Sequence, residues 1–250
     1  MKKIAVSIQK GGVGKTTVSG NVAYGLAAKG AKVLAVDCDP QGNLTNWFLD
    51  SAPAHELADV LEKRVSLADA ITPVADGLFM KSLFVLPTFG VGGGLRDFAD
   101  TKLMTQPYVF RKLCQQIEAE NFDYAIFDLS PGSSMLEKSI LAAVDEVITP
   151  LTPEYFSVDG LQIFAETMQK VRDNLDGTLK HDKIILNLFN RSFSQHIKFA
   201  EAVSKLHYKI YTIGQDRKMA DGQSGNLTAW NTDSKNIPEL QRLAADLAGA

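Results

Sequence analysis

Apolar and β-branched runs alternate with amphipathic stretches along most of the chain. The strand-like runs are Ile4–Ile8, Lys32–Val36, Leu83–Leu86, Tyr124–Phe127, Glu146–Thr149, Lys183–Leu188 and, more weakly, Tyr208–Ile213. The stretches with helical periodicity are Thr16–Ala28, Tyr108–Glu120, Met135–Val144, Val158–Asn174, Gln195–Lys205 and Pro238–Leu247. Near-continuous apolar strands separated by helices are typical of a parallel sheet that is buried on both faces. The pattern therefore predicts an α/β fold with a mostly parallel central sheet and helices on both faces.

No repeat, low-complexity tract or linker divides the 250 residues, so we expect one domain over residues 1–250. The least regular stretches, 49–75, 90–106 and 214–235, are interpreted as surface excursions. No run approaches the roughly 18 apolar residues of a membrane span. The apolar stretch after Met1 is too short for a signal peptide. Cysteines 38 and 114 have no ligand-like spacing, so we expect packed, reduced thiols in a cytoplasmic protein.

A glycine-rich segment directly follows the first predicted strand and reads Gln-Lys-Gly-Gly-Val-Gly-Lys-Thr-Thr over residues 9–17. It fits the phosphate-loop pattern except at the first glycine, where Gln9 stands, and it adds a second lysine, Lys10. Backbone N–H groups of such a loop and the helix that follows favour a polyphosphate. A turn that used glycine for geometry alone would not need Lys15 and Thr16 at the helix start. The predicted nucleotide contacts here are Gly11, Gly12, Val13, Gly14, Lys15, Thr16 and Thr17.

Acidic residues follow two other predicted strands. Asp37 and Asp39 come at alternate positions after the second strand, and Asp128 follows the run Tyr124–Phe127. Ligands of parallel sheets bind at the carboxyl ends of strands, so these carboxylates are expected beside the phosphates. Asp128 would hold Mg²⁺ together with the Thr16 hydroxyl. Alternatively, each acid could be an ordinary cap of a turn or helix.

Taken together, these motifs resemble the deviant Walker A box, A′ box and Walker B strand of the ParA/MinD group of P-loop NTPases. The resemblance implies that Lys10 is the signature lysine, which crosses a nucleotide-sandwich dimer to the partner's phosphates and acts as an arginine finger does. It assigns Asp39 to the attacking water and Asp37 to the Mg²⁺ shell. The implied catalytic residues are thus Lys10, Lys15 and Asp39, with Thr16, Asp37 and Asp128 at the metal. The cofactors would be ATP and Mg²⁺.

Further segments resemble the family less closely. Residues 132–134 resemble switch II, although Leu-Ser-Pro after Asp128 departs from the usual Cys-Pro-Pro. The segment 146–161 resembles the surface for dimerisation and cargo partners. Asn187 stands where relatives contact adenine, and it could equally be a turn residue. Of the family's Pro-Arg-Asn-Val-Arg motif only Arg217 remains, which leaves the adenine-side wall undefined.

The resemblance implies an ATPase that dimerises with ATP, binds DNA without sequence preference and positions or segregates a cargo. A ParB-like or other adaptor would stimulate slow hydrolysis, and the protein would associate with the nucleoid rather than with membrane. Although the net charge is −3, residues 170–218 carry ten Lys/Arg against five Asp/Glu, a pattern that ordinary solvated helices also show. The DNA-contact candidates are Arg191, Lys198, Lys205, Lys209, Arg217, Lys218 and Lys235. No helix-turn-helix region precedes Met1, so operator binding is not expected, and the cargo stays open.

Three alternatives remain at this point. A MinD-like membrane-positioning ATPase would end in a basic amphipathic helix, whereas residues 238–250 contain two acids and one arginine. A reductase similar to the nitrogenase iron protein would need cysteine ligands for a cluster between two copies. A nucleotide-binding module without turnover would keep the same motifs and release no phosphate.

Overall fold

The computed structural model describes residues 1–74, 81–153, 157–175 and 177–249, without the side chains of 157–159, 223 and 224. In this part of the chain, eight strands form one sheet. The strands are β1 Lys2–Val6, β2 Val33–Cys38, β3 Thr72–Pro73, β4 Leu83–Leu86, β5 Tyr124–Leu129, β6 Glu146–Leu151, β7 Lys180–Phe189 and β8 Lys209–Gly214.

The strand order is β3-β4-β2-β5-β1-β6-β7-β8, and every neighbouring pair is parallel except β3 with β4. Strand β1 therefore lies near the centre, between β5 and β6. We call the side where the parallel strands begin the amino edge and the side where they end the carboxyl edge. The predicted α/β class with a mostly parallel sheet is confirmed.

Helices connect the strands. They are α1 Lys15–Ala28, α2 Asn43–Phe48, α3 Leu57–Leu61, α4 Leu67–Ala70, α5 Leu95–Thr101, α6 Val109–Ala119, α7 Met135–Leu141, α8 Ser157–Leu175, α9 Ser194–Ser204, α10 Arg217–Ser224 and α11 Ile237–Ala248. Short 3₁₀ helices lie at 103–105 and 229–231. None of the helices in the described ranges is both long enough and apolar enough to cross a bilayer.

Two hydrophobic cores sandwich the sheet, because successive strand side chains point to opposite faces. In β1, Ala5 packs in one core while Ile4 and Val6 pack in the other. The first core is covered by α3 to α9, and the second by α1, α2, α10 and α11. Helices on both faces are what the sequence pattern predicted.

The three irregular stretches contain more structure than expected. Residues 49–75 include α3, α4 and β3, residues 90–106 include α5, and residues 214–235 begin with α10. Several of these elements are only two to eight residues long. Local side-chain caps hold some of them, such as Ser66 accepting from the Asp69 N–H at the start of α4. Such short helices show no clear amphipathic period in a sequence.

A charge network closes the amino edge. Lys183 and Glu146 form a salt bridge in which each side chain is about 4% exposed. Glu146 also pairs with Lys2 at 2.8 Å, and Lys183 lies 3.1 Å from Asp182 and 3.4 Å from Asp246 near the end of α11. Burial opposes the charge of Lys183, but the hydrogen bond and charge of Glu146 raise its pKa. The network ties α11 to the central strands.

Candidate functional site

The glycine-rich segment joins β1 to α1 at the carboxyl edge, where it forms a loop over the helix N-terminus. Gly12 and Gly14 have φ angles of 72° and 85°, a left-handed region that favours glycine. Gly14 is the N-cap of α1, and the Lys15 ammonium turns back to donate to the Lys10 carbonyl at 3.0 Å. A glycine-rich loop that ends in a helix N-terminus is suited to binding an anion through its backbone N–H groups.

The buried Lys15 ammonium is the positive centre of the loop. Burial lowers the pKa of Lys15, while the carboxylates of Asp128, Asp39 and Glu137 oppose that shift. The side chain is 7% exposed. A compact cation held beside the loop is suited to a multiply charged oxyanion.

Asp37 and Asp128 lie abreast at the ends of neighbouring strands, since β2 and β5 pair them directly. Asp37 accepts hydrogen bonds from the Thr45 hydroxyl at 2.7 Å and the Thr45 N–H at 2.8 Å. Asp128 accepts from the Ser19 hydroxyl at 2.8 Å and from the Thr16 hydroxyl. Both acids are fully buried.

The positive charge around Asp37 and Asp128 does not offset the burial of these two carboxylates. Burial, reinforced by the charge of Asp128, raises the pKa of Asp37 to about 8. Burial raises the pKa of Asp128 to about 6 although Thr16 and Ser19 donate to it. The Asp128 Oδ2 atom has no hydrogen-bond partner among the described residues. A buried acid with a free oxygen beside a second acid fits a divalent cation.

The candidate metal site is an open one. Across the described ranges, no group of three or more His, Cys, Asp and Glu side chains could hold a metal alone. Mg²⁺ is usually held by one or two carboxylates, with waters and substrate phosphates completing the shell. The predicted set Thr16, Asp37 and Asp128 is brought together here with that donor chemistry.

Asp39 begins the turn after β2 and is 7% exposed. Its Oδ1 atom accepts the Gln41 N–H at 2.9 Å, and its own N–H donates to Asp37 at 3.2 Å. These bonds fix the carboxylate close enough to Lys15 for its charge to be felt there. A carboxylate placed so can orient a water beside a bound phosphate.

The residues that sequence reasoning missed are those that hold the acids. Ser19 lies one helical turn after Lys15, and Thr45 lies in α2, so the spacing along each helix could have indicated them. Glu137 is 4% exposed and accepts from Ser130 and from the Ser134 N–H, in a capping box that the sequence Ser-x-x-Glu spells out.

Asn187 lies under the phosphate loop at the carboxyl end of β7. Its Nδ2 atom donates to the Val13 carbonyl at 2.8 Å, and a Cβ on Gly14 would lie 2.1 Å from that nitrogen. It borders a cavity of about 190 Å³ beside the loop. The cavity is lined by Gly12, Gly14, Thr17, Asn187, Leu188, Ile213, Gly214, Asp216, Met219 and Ala220. The cavity therefore lies directly beside the glycine-rich loop.

The seven basic DNA-contact candidates are all exposed but do not share one surface. Arg191, Arg217, Lys218 and Lys235 follow the carboxyl ends of β7 and β8, and Arg191 and Lys235 line one cleft. Lys205 precedes β8 and Lys209 is its first residue, so both lie at the amino edge, where Lys209 pairs with Asp246 at 2.5 Å. Lys198 lies within α9, between these groups.

The sequence is similar to a known family and to known proteins. Residues 1–181 match the AAA domain family. An uncharacterized protein of Borreliella burgdorferi is 38% identical over 247 residues, covering 97% of this chain and 98% of the relative. The sporulation initiation inhibitor protein Soj of Bacillus subtilis is 33% identical over 217 residues, covering 84% of this chain and 82% of Soj.

Solved structures share the fold. A Cyanothece McdA variant in complex with ATP has a TM-score of 0.85 at 19% identity, covering 100% of this chain and 96% of McdA. The septum site-determining protein MinD of Pyrococcus horikoshii, complexed with Mg-ADP, has a TM-score of 0.82 at 24% identity, covering 98% and 95%. The glycine-rich loop, the paired acids and the matched relatives agree. The chain belongs to the AAA domain family and is a ParA/MinD-type P-loop ATPase.

Proposed function

We propose that this protein is a ParA-like positioning ATPase that binds and hydrolyses ATP with Mg²⁺. The observation that carries the proposal is the closeness of the Lys15 ammonium to Asp128, which lies beside Asp37 on the neighbouring strand. The McdA structure is a complex with ATP and the MinD structure a complex with Mg-ADP, which supports the choice of nucleotide and metal.

The described residues fit both ATP and Mg²⁺. The loop 11–17 would cradle the phosphates, with Lys15 neutralising their charge. Thr16, Asp37 and Asp128 would hold Mg²⁺, which supplies charge stabilisation on the transferring phosphoryl group. Asp39 would orient the attacking water, since its carboxylate is fixed by the Gln41 N–H. The cavity beside Asn187 would accept the adenine.

ATP-dependent dimerisation is the proposed switch. Lys10 starts the exposed mouth of the loop, next to Gly11 and Gly12, both of which are exposed. From there the side chain would reach phosphates held by a second copy, as the arginine finger of related enzymes does. Part of the segment 146–161, which was predicted as the dimer and partner surface, lies outside the described residues.

We propose that the dimer binds DNA phosphates through the basic residues of the carboxyl edge. Arg191, Arg217, Lys218 and Lys235 share that edge with the nucleotide site. Binding would thus depend on the nucleotide state, would lack sequence preference and would fall steeply with salt. The cargo would be a chromosome, plasmid or protein assembly, and a ParB-like or other adaptor would stimulate hydrolysis. The protein would act on the nucleoid in the cytoplasm.

Two of the alternatives gain no support from the described residues. A membrane-binding C-terminal helix needs a free apolar face, but Leu240, Leu243 and Leu247 of α11 are buried in the fold. A cluster shared between two copies needs accessible thiols, and Cys38 and Cys114 are both buried.

The decisive experiment measures the mass of the protein by light scattering, with ATP and with ADP, and measures phosphate release from ATP. We expect ATP, but not ADP, to give a dimer. This dimer should hydrolyse ATP slowly, and DNA should increase the rate. Lys10→Ala should bind ATP and stay monomeric, whereas Asp39→Ala should stay dimeric with little turnover. A wild-type protein that remains monomeric with ATP would contradict the switch. Unchanged turnover in Asp39→Ala would remove that residue from catalysis.

A further inference from the structure

Glu137 is a buried acid in the first turn of α7, next to the nucleotide site but outside the family motifs. It is 4% exposed, and its Oε2 atom accepts the Ser134 N–H at 2.7 Å. This half of the arrangement is an ordinary capping box. The second contact lies outside the capping box: the Glu137 Oε1 atom also accepts a hydrogen bond from the Ser130 hydroxyl, two residues after Asp128.

The loop 130–134 is wrapped around this one carboxylate. A Cβ at Gly132 would lie 3.6 Å from Glu137 Oε2, so the middle of the loop passes directly over the carboxylate. The same loop reaches the phosphate loop, since a Cβ on Gly11 would lie 3.9 Å from Pro131 Cβ. Glu137 therefore ties the start of α7 to the segment that follows β5, and Pro131 of that segment lies beside the phosphate loop.

Energetics favour a fixed carboxylate at this point. A buried acid is costly unless donors surround it, and here the donors come from both ends of the loop. The α7 N-terminus adds its dipole, and the Glu137 charge is also felt at Lys15. Moving the loop would strip the carboxylate of its donors, so the resting loop is held in one position.

We propose that Glu137 is a positioning residue for ATP hydrolysis, which fixes the loop 130–134 against the phosphate loop. It touches neither nucleotide nor metal, and it acts through Ser130 on the segment that follows Asp128. This inference rests on the proposed function. Its consequence is that the geometry of the transition state, rather than the affinity for ATP, depends on Glu137.

The test compares Glu137→Ala, Glu137→Gln and Ser130→Ala with the wild type. We expect kcat of Glu137→Ala to fall at least about tenfold while the Kd for ATP changes less than about threefold. Ser130→Ala should show a smaller fall of the same kind. Glu137→Gln should recover part of kcat, because its amide oxygen can still accept the Ser134 N–H.

A second readout needs no nucleotide. Hydrogen exchange at the Ser134 amide should be faster in Glu137→Ala than in the wild type, because that N–H loses its acceptor. Ser66→Ala, which removes a similar N-cap from α4, serves as the control for loss of a helix cap and should change neither exchange at Ser134 nor kcat.

The outcomes separate the two hypotheses. Wild-type kcat and wild-type exchange in Glu137→Ala, with a wild type that hydrolyses ATP, would overturn the positioning role alone. A loss of ATP affinity as large as the loss of kcat would overturn it as well, since that indicates ground-state binding or unfolding. A wild type that binds ATP without turnover would overturn the proposed function and this inference together.

Discussion

At the amino edge of the sheet, Lys183 and Glu146 lose nearly all contact with solvent, and each is matched by an opposite charge. At the carboxyl edge, Asp37 and Asp128 are buried as completely, but they face each other. The pKa of Lys183 is raised because its partners are in place. The pKa values of the two acids are raised because burial removes water and too little positive charge replaces it.

Buried charges have different roles at the two edges of the sheet. A pair that is complete within the chain holds the fold together, and its loss leaves an uncompensated charge. A buried charge that its partners within the chain do not balance is available to bind a ligand, and such charges are common at functional sites. Asp128, with one buried oxygen lacking a partner in the described part of the chain, is of the second kind.

Lys15 is the buried cation of the carboxyl edge, and its removal should strongly reduce the affinity for nucleotide. Lys15→Ala should weaken ATP binding by at least about a hundredfold, because the cation that faces the phosphates is lost. The melting temperature of the nucleotide-free protein should not fall, since burial of this ammonium is unfavourable. Titration with a fluorescent ATP analogue and a thermal melt measure the two quantities. An affinity within threefold of wild type would exclude Lys15 from the phosphate site.

The next effect is at the amino edge. Lys183→Ala should lower the free energy of unfolding by about 3–5 kcal/mol, because Lys2 is then the one charged partner that Glu146 keeps among the described residues. The Kd for ATP of the folded protein should be unchanged. Lys209→Ala is the matched control, since its exposed pair with Asp246 should contribute no more than about 1 kcal/mol. Equal losses in the two variants, measured by urea unfolding, would argue against a special role for burial.

A buried neutral imidazole, that of His181, lies near the start of β7 and should affect how stability depends on pH. His181 contacts the Thr149 hydroxyl at 2.8 Å, and burial, with the charge of Arg172, lowers its pKa to about 4. The unfolded chain takes up this proton first as the pH falls from about 6.5, so the contribution of His181 to the free energy of unfolding is fully present above that pH and declines toward pH 4.

Urea midpoints at about pH 7.5 and about pH 5 test this sign. The raised pKa values of Asp37 and Asp128 favour the folded state as the pH falls, so the contribution of His181 is measured as the difference between a variant and the wild type. The free energy of unfolding of His181→Gln, which keeps a polar contact for Thr149, should rise relative to that of wild type between about pH 7.5 and about pH 5. His207→Gln replaces an exposed histidine and should keep the wild-type pH dependence. A difference between His181→Gln and wild type that is the same at both pH values would exclude His181 from the pH dependence.

Most of the fold was predictable because its signals are local and repeated. The strand runs, the long helices and the parallel sheet follow from apolar periodicity, and the short helices α3 and α4 do not because they have too few residues for a period. Lys15 and Thr16 were recognisable from contiguous sequence. Glu137 has a local signal in its capping box, but its burial over the loop 130–134 comes from tertiary packing.

The order of the elements, the phosphate loop and the acids near the ends of β2 and β5 could be predicted because they depend on residue type and spacing along the chain. Which of these groups meet depends on the packed fold. Strand order places Asp37 beside Asp128, and it puts most of the basic candidates at one or the other edge of the sheet. Lys183 has its charged partners, whereas one oxygen of Asp128 has no hydrogen-bond partner among the described residues. Strand order and burial set the distances between charges and their contact with water, and these determine whether a charge stabilises the fold or can bind a ligand.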